Sequence, residues 1–252
     1  MSDSKLVTYR FIKDVITHPN ADGGPGCIAG NARGAWPNWF PKTDQERVEN
    51  CFDEVAASGV EEWVVEEKLE GSSVTIYTDN GDLGVCSRNV DLKLDESNAG
   101  NVFIKTVFRM GLDVIANLEG RWAIRGVLIG PNIQGNIYKL EENTIYIFDV
   151  WDGDEQRYLT PDERALFLAI IRHVSRAVRK DLVVNEVPRL GRFKLPVTVA
   201  DVVAMADGES KLFPTKREGL VFKSVGVAKF GLQTQVISFE TISRDYLAAE
   251  KN

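Results

Sequence analysis

The chain has 252 residues, 44% of them hydrophobic and 27% charged, an ordinary globular composition for one large domain or two small ones. Three widely spaced cysteines without a CxxC pair, and two distant histidines, exclude a disulfide framework and argue against a structural zinc or His-rich metal site; they fit a reducing cytoplasmic compartment. The formal net charge of −7 excludes a general electrostatic grip on nucleic acid, so any RNA contact has to come from a local basic patch.

No apolar run approaches the roughly 20 residues that span a bilayer, and the polar Met-Ser-Asp-Ser-Lys start lacks a signal-peptide core, so no membrane partner is expected. Along the chain, Tyr9 to Val15 reads as a strand and the Gly/Pro-rich stretch Asn20 to Gly34 as a loop. Trp36, Trp39 and Phe40 are expected to pack on the main core. Thr43-x-x-Glu46 has the form of a capping box, and Val48, Cys51, Phe52 and Val55 predict an amphipathic helix stopped by Gly59. Trp63 to Lys68 is strand-like. Ser73 to Thr78 alternates Val74 and Ile76 inward with Thr75 and Tyr77 outward. Asp79-Asn80-Gly81-Asp82 predicts a two-residue hairpin turn with Ile76 opposite Val85 and Ser73 opposite Arg88.

Residues 101–118 read as one helix with Gly111 as a weak point, Trp122 to Ile129 as a strand, and Pro131 to Gly135 as a loop. Thr144 to Trp151 is a strongly apolar strand. Thr160-Pro161-Asp162-Glu163 is a capping box with proline at the first helical position, opening a helix to about Arg179. Thr198 to Ala206 predicts a short helix; Leu220 to Ser224 and Gln235 to Ile242 predict strands. There is no internal repeat, low-complexity segment or clear linker. Strands and helices mix without regular βαβ alternation, which favours an α+β fold.

Lys68 ends a hydrophobic strand, and Gly71 comes three residues later. A lysine amine attacks phosphorus only when neutral, and a nearby glycine lets backbone approach a phosphate. Lys-x-x-Gly alone is a weak pattern. It gains weight from an ordered series of downstream segments: Ser87-Arg88-Asn89, then Gly126 to Asn136, then Phe148, then Glu218-Gly-Leu-Val-Phe-Lys223, then Ser238-Phe239-Glu240.

From about Pro41 to Leu247 this order resembles the ATP-dependent RNA ligases of the covalent nucleotidyltransferase superfamily. Lys68-Leu-Glu-Gly resembles motif I, Ser87-Arg88-Asn89 motif Ia, Gly126 to Gly135 motif III, Phe148 the aromatic of motif IIIa, and Glu218 to Lys223 motif IV. The Ile-Gly-Pro-x-Ile-Gln-Gly-Asn stretch favours RNA ligases over DNA ligases and capping enzymes, the runners-up. The resemblance implies a nucleotidyltransferase (adenylation) domain with antiparallel sheets flanked by helices over residues 41–252, an extension over 1–40 packed on it, and no C-terminal domain.

It also implies a reaction. Lys68 would take AMP from ATP with Mg²⁺ or Mn²⁺, AMP would pass to an RNA 5′-phosphate, and a 3′-hydroxyl would displace it. Arg88 would contact the ribose or phosphate end, and Phe148 would stack on adenine. Glu218 would bind the metal, Lys223 would face the phosphates, Glu70 would tune the site, and the backbone at Glu67 would meet the adenine edge. RNA contacts would draw on Arg88, Lys93, Lys105, Arg109 and Arg125. Oligomeric state has no signal in the sequence.

Two positions depart from the pattern. Val127 stands where motif III has a glutamate that accepts a hydrogen bond from the sugar. Glu240 stands where motif V has a lysine for the ATP phosphates. Arg125, Lys223 and Lys229 are candidates to compensate Glu240, with an Arg125–Glu240 pair one arrangement. The departures keep a slow ligase, a ligase strong in the later steps, and a non-catalytic nucleotide- or RNA-binding module all in view.

Overall fold

The computed structural model describes residues 31–42, 45–175, 179, 181–231 and 233–249. The strand expected over Tyr9 to Val15, most of the Asn20 to Gly34 loop, and Thr43 lie outside these residues. Two sheets form the frame. The first runs β1 (Ala32–Gly34), β6 (Asp91–Leu92), β5 (Asp82–Cys86), β4 (Ser72–Asp79), β7 (Arg121–Ile129), β8 (Thr144–Asp152), β10 (Asn185–Glu186), with β9 (Arg157–Tyr158) also on β8. The second runs β11 (Arg189–Phe193), β3 (Trp63–Lys68), β12 (Gly219–Phe230), β13 (Gln233–Ile242), β2 (Glu46–Arg47). The ladders are antiparallel except for the two-residue edges β8–β10 and β2–β13. With helices packed on the sheets, this is the expected α+β architecture.

Each sheet has its own core because side chains alternate across a strand. Val74, Ile76, Ile124, Leu128, Ile147 and Val150 of the first sheet pack against Phe103 and Val107 of α2 (Val102–Arg109) and Leu168 and Ile171 of α3 (Pro161–Ser175). Trp63, Val65, Phe222 and Phe239 of the second sheet pack under α1 (Val48–Ala57) and α4 (Val199–Ala206). Burial of each such side chain contributes about 1.5–3 kcal/mol. The opposite faces of the two sheets look toward each other across a cleft. Among the described residues no helix is long and apolar enough to cross a membrane.

Several expectations are corrected. Thr75 and Tyr77 are buried, not outward. Trp36, Trp39 and Phe40 cover that face, with the Phe40 and Tyr77 ring centroids 5.4 Å apart. The hairpin turn is as predicted: Asn80 and Gly81 have φ of 49° and 93°, and Ile76 faces Val85. The ladder ends at Thr75–Cys86, however, so Ser73 does not face Arg88. The Ser87 N–H closes on the Val90 carbonyl at 2.9 Å and bends the chain away toward β6, leaving Ser73 paired only on its other side, with Val127.

Glu46 is not a capping residue. It pairs with Phe239 in β2, and α1 begins after Arg47 without a side-chain cap. The helix expected over 101–118 breaks at Gly111, whose φ of 74° is left-handed, and resumes as a 3-10 turn over Leu112–Asn117. The Thr160–Glu163 box is present, with reciprocal bonds of 2.7 and 3.3 Å; α3 is described as far as Ser175, and residues 176–178 of the expected extent to Arg179 lie outside the described residues. Ala32–Gly34, placed in a loop by its glycines, is a short edge strand on β6.

Candidate active site

The chain passes from the second sheet to the first at one corner. β3 ends at Lys68, and after Leu69, Glu70 and Gly71 the chain enters β4 at Ser72. Lys68 therefore stands where the sheets diverge, on the wall of a cavity of about 790 Å³ that is also lined by Ser73, Arg88, Val127, Phe148, Lys223 and Glu240. Gly71 has a packing reason that the sequence did not reveal. A Cβ there would lie 2.5 Å from the Leu128 carbonyl oxygen and 2.6 Å from Val127 Cγ2. Gly71→Ala is expected to destabilise the fold by about 1–3 kcal/mol, read as a lower urea midpoint at unchanged slope. An unchanged midpoint would show that the corner tolerates a methyl group.

Three neighbouring strands of the second sheet surround the Lys68 amine. Lys68 Nζ donates to Glu218 Oε1 at 2.7 Å, and Glu240 Oε2 lies 3.7 Å away. The register places Gly219 opposite Lys68 and Val221 opposite Glu240. Burial raises the Glu240 carboxyl above its ordinary value; Glu218 adds to this, and Lys68 and Arg47 oppose it. The expected Arg125–Glu240 pair is not formed. Arg125 is buried, donates to the Pro41 carbonyl and lies 5.7 Å from the Phe40 ring centroid. It shares a face with Val127 but sits two residues, roughly 7 Å, further along β7, under the aromatic cover. Glu240 is left to Lys68.

The other expected residues gather at the same place with differing engagements. Both Glu70 carboxylate oxygens are used, Oε1 by the Gly135 N–H and Oε2 by the Tyr246 hydroxyl, each at 2.9 Å. The Glu67 N–H is spent on the Pro188 carbonyl at 2.8 Å. Its side chain is 1% exposed; Oε2 accepts from the Lys211 N–H, while Oε1 has no partner among the described residues. Phe148 lines the cavity because β8 bulges there. Arg125 pairs with Asp149 but Gly126 pairs with Ile147, leaving Phe148 as the extra residue. Ile147 and Val150 remain in the core, and the two residues between them turn to the cleft.

Lys223 is 2% exposed and fixed in place. Its Nζ donates to Asp149 Oδ1 at 2.7 Å and to the Phe148 carbonyl, with Glu66 Oε2 at 3.2 Å. Glu66 also takes two bonds from Arg164 of α3. Burial would raise the Glu66 carboxyl, but Lys223 and Arg164 outweigh it and hold it at about 2. Sequence reasoning missed Glu66, Asp149 and Arg164. Two signals were available: Glu66 shares the Lys68 strand face, and Arg164, Leu168 and Ile171 repeat on one helical face.

The five candidate RNA-contacting cations differ in their surroundings. Arg125 is buried, Arg109 pairs with Glu142 and Lys93 with Asp95, and of the five only Arg88 lines the cavity. Among the described residues no group of three His, Cys, Asp or Glu side chains could hold a metal by itself.

The family model described as RNA ligase matches residues 61–236. No curated protein matches the chain. Among solved structures, a mutant of Naegleria gruberi RNA ligase with AMP and Mn is 33% identical, with a TM-score of 0.77 over 90% of this chain and 62% of that one. The same organism's RNA ligase with PPi is 33% identical, with a TM-score of 0.76 over 90% of this chain and 63% of that one. A mutant with ATP and Mn gives 33% identity and a TM-score of 0.75 over 89% of this chain. The chain spans 62% of the length of that last protein.

Proposed function

The chain belongs to the RNA ligase family, and from that premise we propose that it joins RNA 5′-phosphate and 3′-hydroxyl ends through an adenylate carried on Lys68. The observation that carries this reading is the position of Lys68 on the cavity wall, hydrogen-bonded to Glu218, with Lys223 on the neighbouring strand and Phe148 on the other sheet lining the same cavity. Lys68 Nζ would bond to the α-phosphorus of ATP as pyrophosphate departs on the opposite side. Such displacements need positioning and charge neutralisation more than covalent assistance.

The residues fit an adenine nucleotide. Glu67 Oε1 is a buried acceptor without a partner among the described residues, in a cavity lined by an aromatic ring. Adenine offers an amino donor at its six position and guanine an acceptor there, so Glu67 would favour ATP over GTP. Phe148, held through its carbonyl by Lys223 and Arg164, would stack on the base. Arg88 would meet the sugar–phosphate end. A divalent cation fits a donor set of one or two carboxylates completed by substrate phosphates, with Glu218 as the protein ligand. When bound, it would offset phosphate charge.

A substrate panel tests the reading. With ATP and Mg²⁺ or Mn²⁺, the protein is expected to seal nicked or single-stranded RNA ends, to act poorly on nicked DNA, and to take no label from GTP. Sealing DNA in preference to RNA would move the chain to the DNA ligases, and label from GTP would favour a capping-type enzyme. Val127 and Glu240 favour a second reading, a nucleotide-binding module without catalysis, which predicts bound AMP and no sealed product of any kind.

A further inference from the structure

We propose that this site is built to use ends that are already adenylylated, taking a 5′-adenylylated RNA as its donor in preference to ATP and a 5′-phosphate. The inference rests on the nucleotide reading of the cavity given above and concerns which phosphates that cavity tolerates. The distinguishing observation is the set of charges around Lys68. Its Nζ lies 2.7 Å from one carboxylate and 3.7 Å from a second, so one cation there faces two anions. Lys223, the other lysine on the wall, is already occupied by Asp149 and Glu66. Arg88 faces the same lining as Glu66, Glu67 and Glu240. The wall thus carries no excess of positive charge to meet a triphosphate.

Donors differ in how much this matters. ATP ends in a terminal phosphate that is doubly ionised near neutral pH. A 5′-adenylylated end is a disubstituted pyrophosphate with one ionised oxygen on each phosphorus and no such terminus. AMP itself is smaller in charge than ATP. A carboxylate at Glu240, where the family pattern has a lysine, therefore disfavours ATP more than a 5′-adenylylated end or AMP. Val127 behaves differently. It faces Ser73 and packs with Leu69, Ile129 and Tyr138, where it cannot accept from a sugar hydroxyl. That loss falls on every adenylate alike and selects none.

The step that remains is balanced without ATP. The 3′-hydroxyl oxygen bonds to the 5′-phosphorus of the donor. The bond from that phosphorus to the bridging oxygen of the pyrophosphate breaks, AMP leaves with that oxygen and the electron pair, and the hydroxyl proton passes to water. The chain would then act after an adenylylating activity that supplies the activated end.

Two measurements on the full chain test this. By calorimetry without metal, wild type is expected to bind AMP about tenfold or more tighter than ATP, and Glu240→Lys to remove or reverse that order. Glu240→Gln, which keeps the shape, is expected to fall between them. In ligation, a 5′-adenylylated RNA and a 3′-hydroxyl acceptor without ATP are expected to be sealed about tenfold or more faster than a 5′-phosphate RNA with ATP. Equal affinity for ATP and AMP, or equal or faster sealing from ATP, would overturn the preference and leave the ligase reading standing. No sealing from either donor would overturn both.

Discussion

Lys68→Ala is expected to abolish covalent labelling of the chain by AMP. With label carried on the α-phosphate of ATP and the protein resolved under denaturing conditions, incorporation should fall by about a thousandfold or more, because no other nucleophile occupies the position. Lys68→Arg isolates the cause. It keeps a cation beside Glu218 and Glu240 but supplies no reactive amine, so it should bind nucleotide better than the alanine variant and label equally poorly. The alanine variant leaves two carboxylates facing each other without their shared partner. Its folding should therefore be checked by a melt before the labelling is compared. Retained label in Lys68→Ala would remove Lys68 from the reaction.

The largest structural effect is expected at Arg164. Its guanidinium is 2% exposed and bridges Glu66 on β3 to the Phe148 carbonyl at the β8 bulge. Arg164→Met keeps much of the length and leaves the Glu66 charge buried with Lys223 at 3.2 Å and Arg189 at 3.9 Å. Breaking such a pair from one side costs about 3–5 kcal/mol, measurable by urea unfolding. A loss under about 1 kcal/mol would show that the remaining cations, Lys223 and Arg189, satisfy Glu66.

The same group sets an acid limit. Glu66 has a folded value of about 2 against an ordinary 4.5, because Lys223 and Arg164 outweigh the opposing effect of burial. A depressed carboxyl contributes its full stabilisation above the unfolded value and loses it as pH falls through the folded one. Wild type should therefore lose stability progressively from about pH 4.5 toward pH 2. Glu66→Gln should be less stable near neutral pH and show a flatter decline across that window.

How much of the fold was legible in the sequence depends on how local each signal was. The Asn80-Gly81 turn and the Thr160–Glu163 box are decided by residues within a few positions of one another, and both form as predicted. The ordered motifs bring Lys68, Arg88, Phe148 and Lys223 to one cavity, with Glu218 bonded to Lys68, because they are chemical patterns rather than packing patterns. Long-range choices were not legible. Tyr77 reads as outward until the aromatic cover from Trp36 to Phe40 is placed over it, 37 or more residues away in the chain. Glu46 has the spacing of a cap, yet β13 recruits it as an edge strand. The role of Gly71 depends on the carbonyl of Leu128, which no local pattern predicts. Arg164 looks like any charged residue in the first turn of a helix until its partner on β3 is known.

The corner at Lys68 has a mechanical consequence. The chain crosses back between the sheets from Glu186 in β10 to Arg189 in β11, and this second crossing lies beside the first, joined by the Glu67 N–H to the Pro188 carbonyl. Each sheet keeps its own apolar core, yet Lys223 of β12 bonds to Asp149 and to the Phe148 carbonyl of β8, so the two sheets are clamped at the β8 bulge as well as joined at the crossings. The clamp fixes Phe148 relative to the sheet that carries Lys68. The spacing of Lys68 from Glu218 is set within one sheet by the β3–β12 ladder. An amine that must stay aligned on one phosphorus is best mounted on a frame tied at both ends.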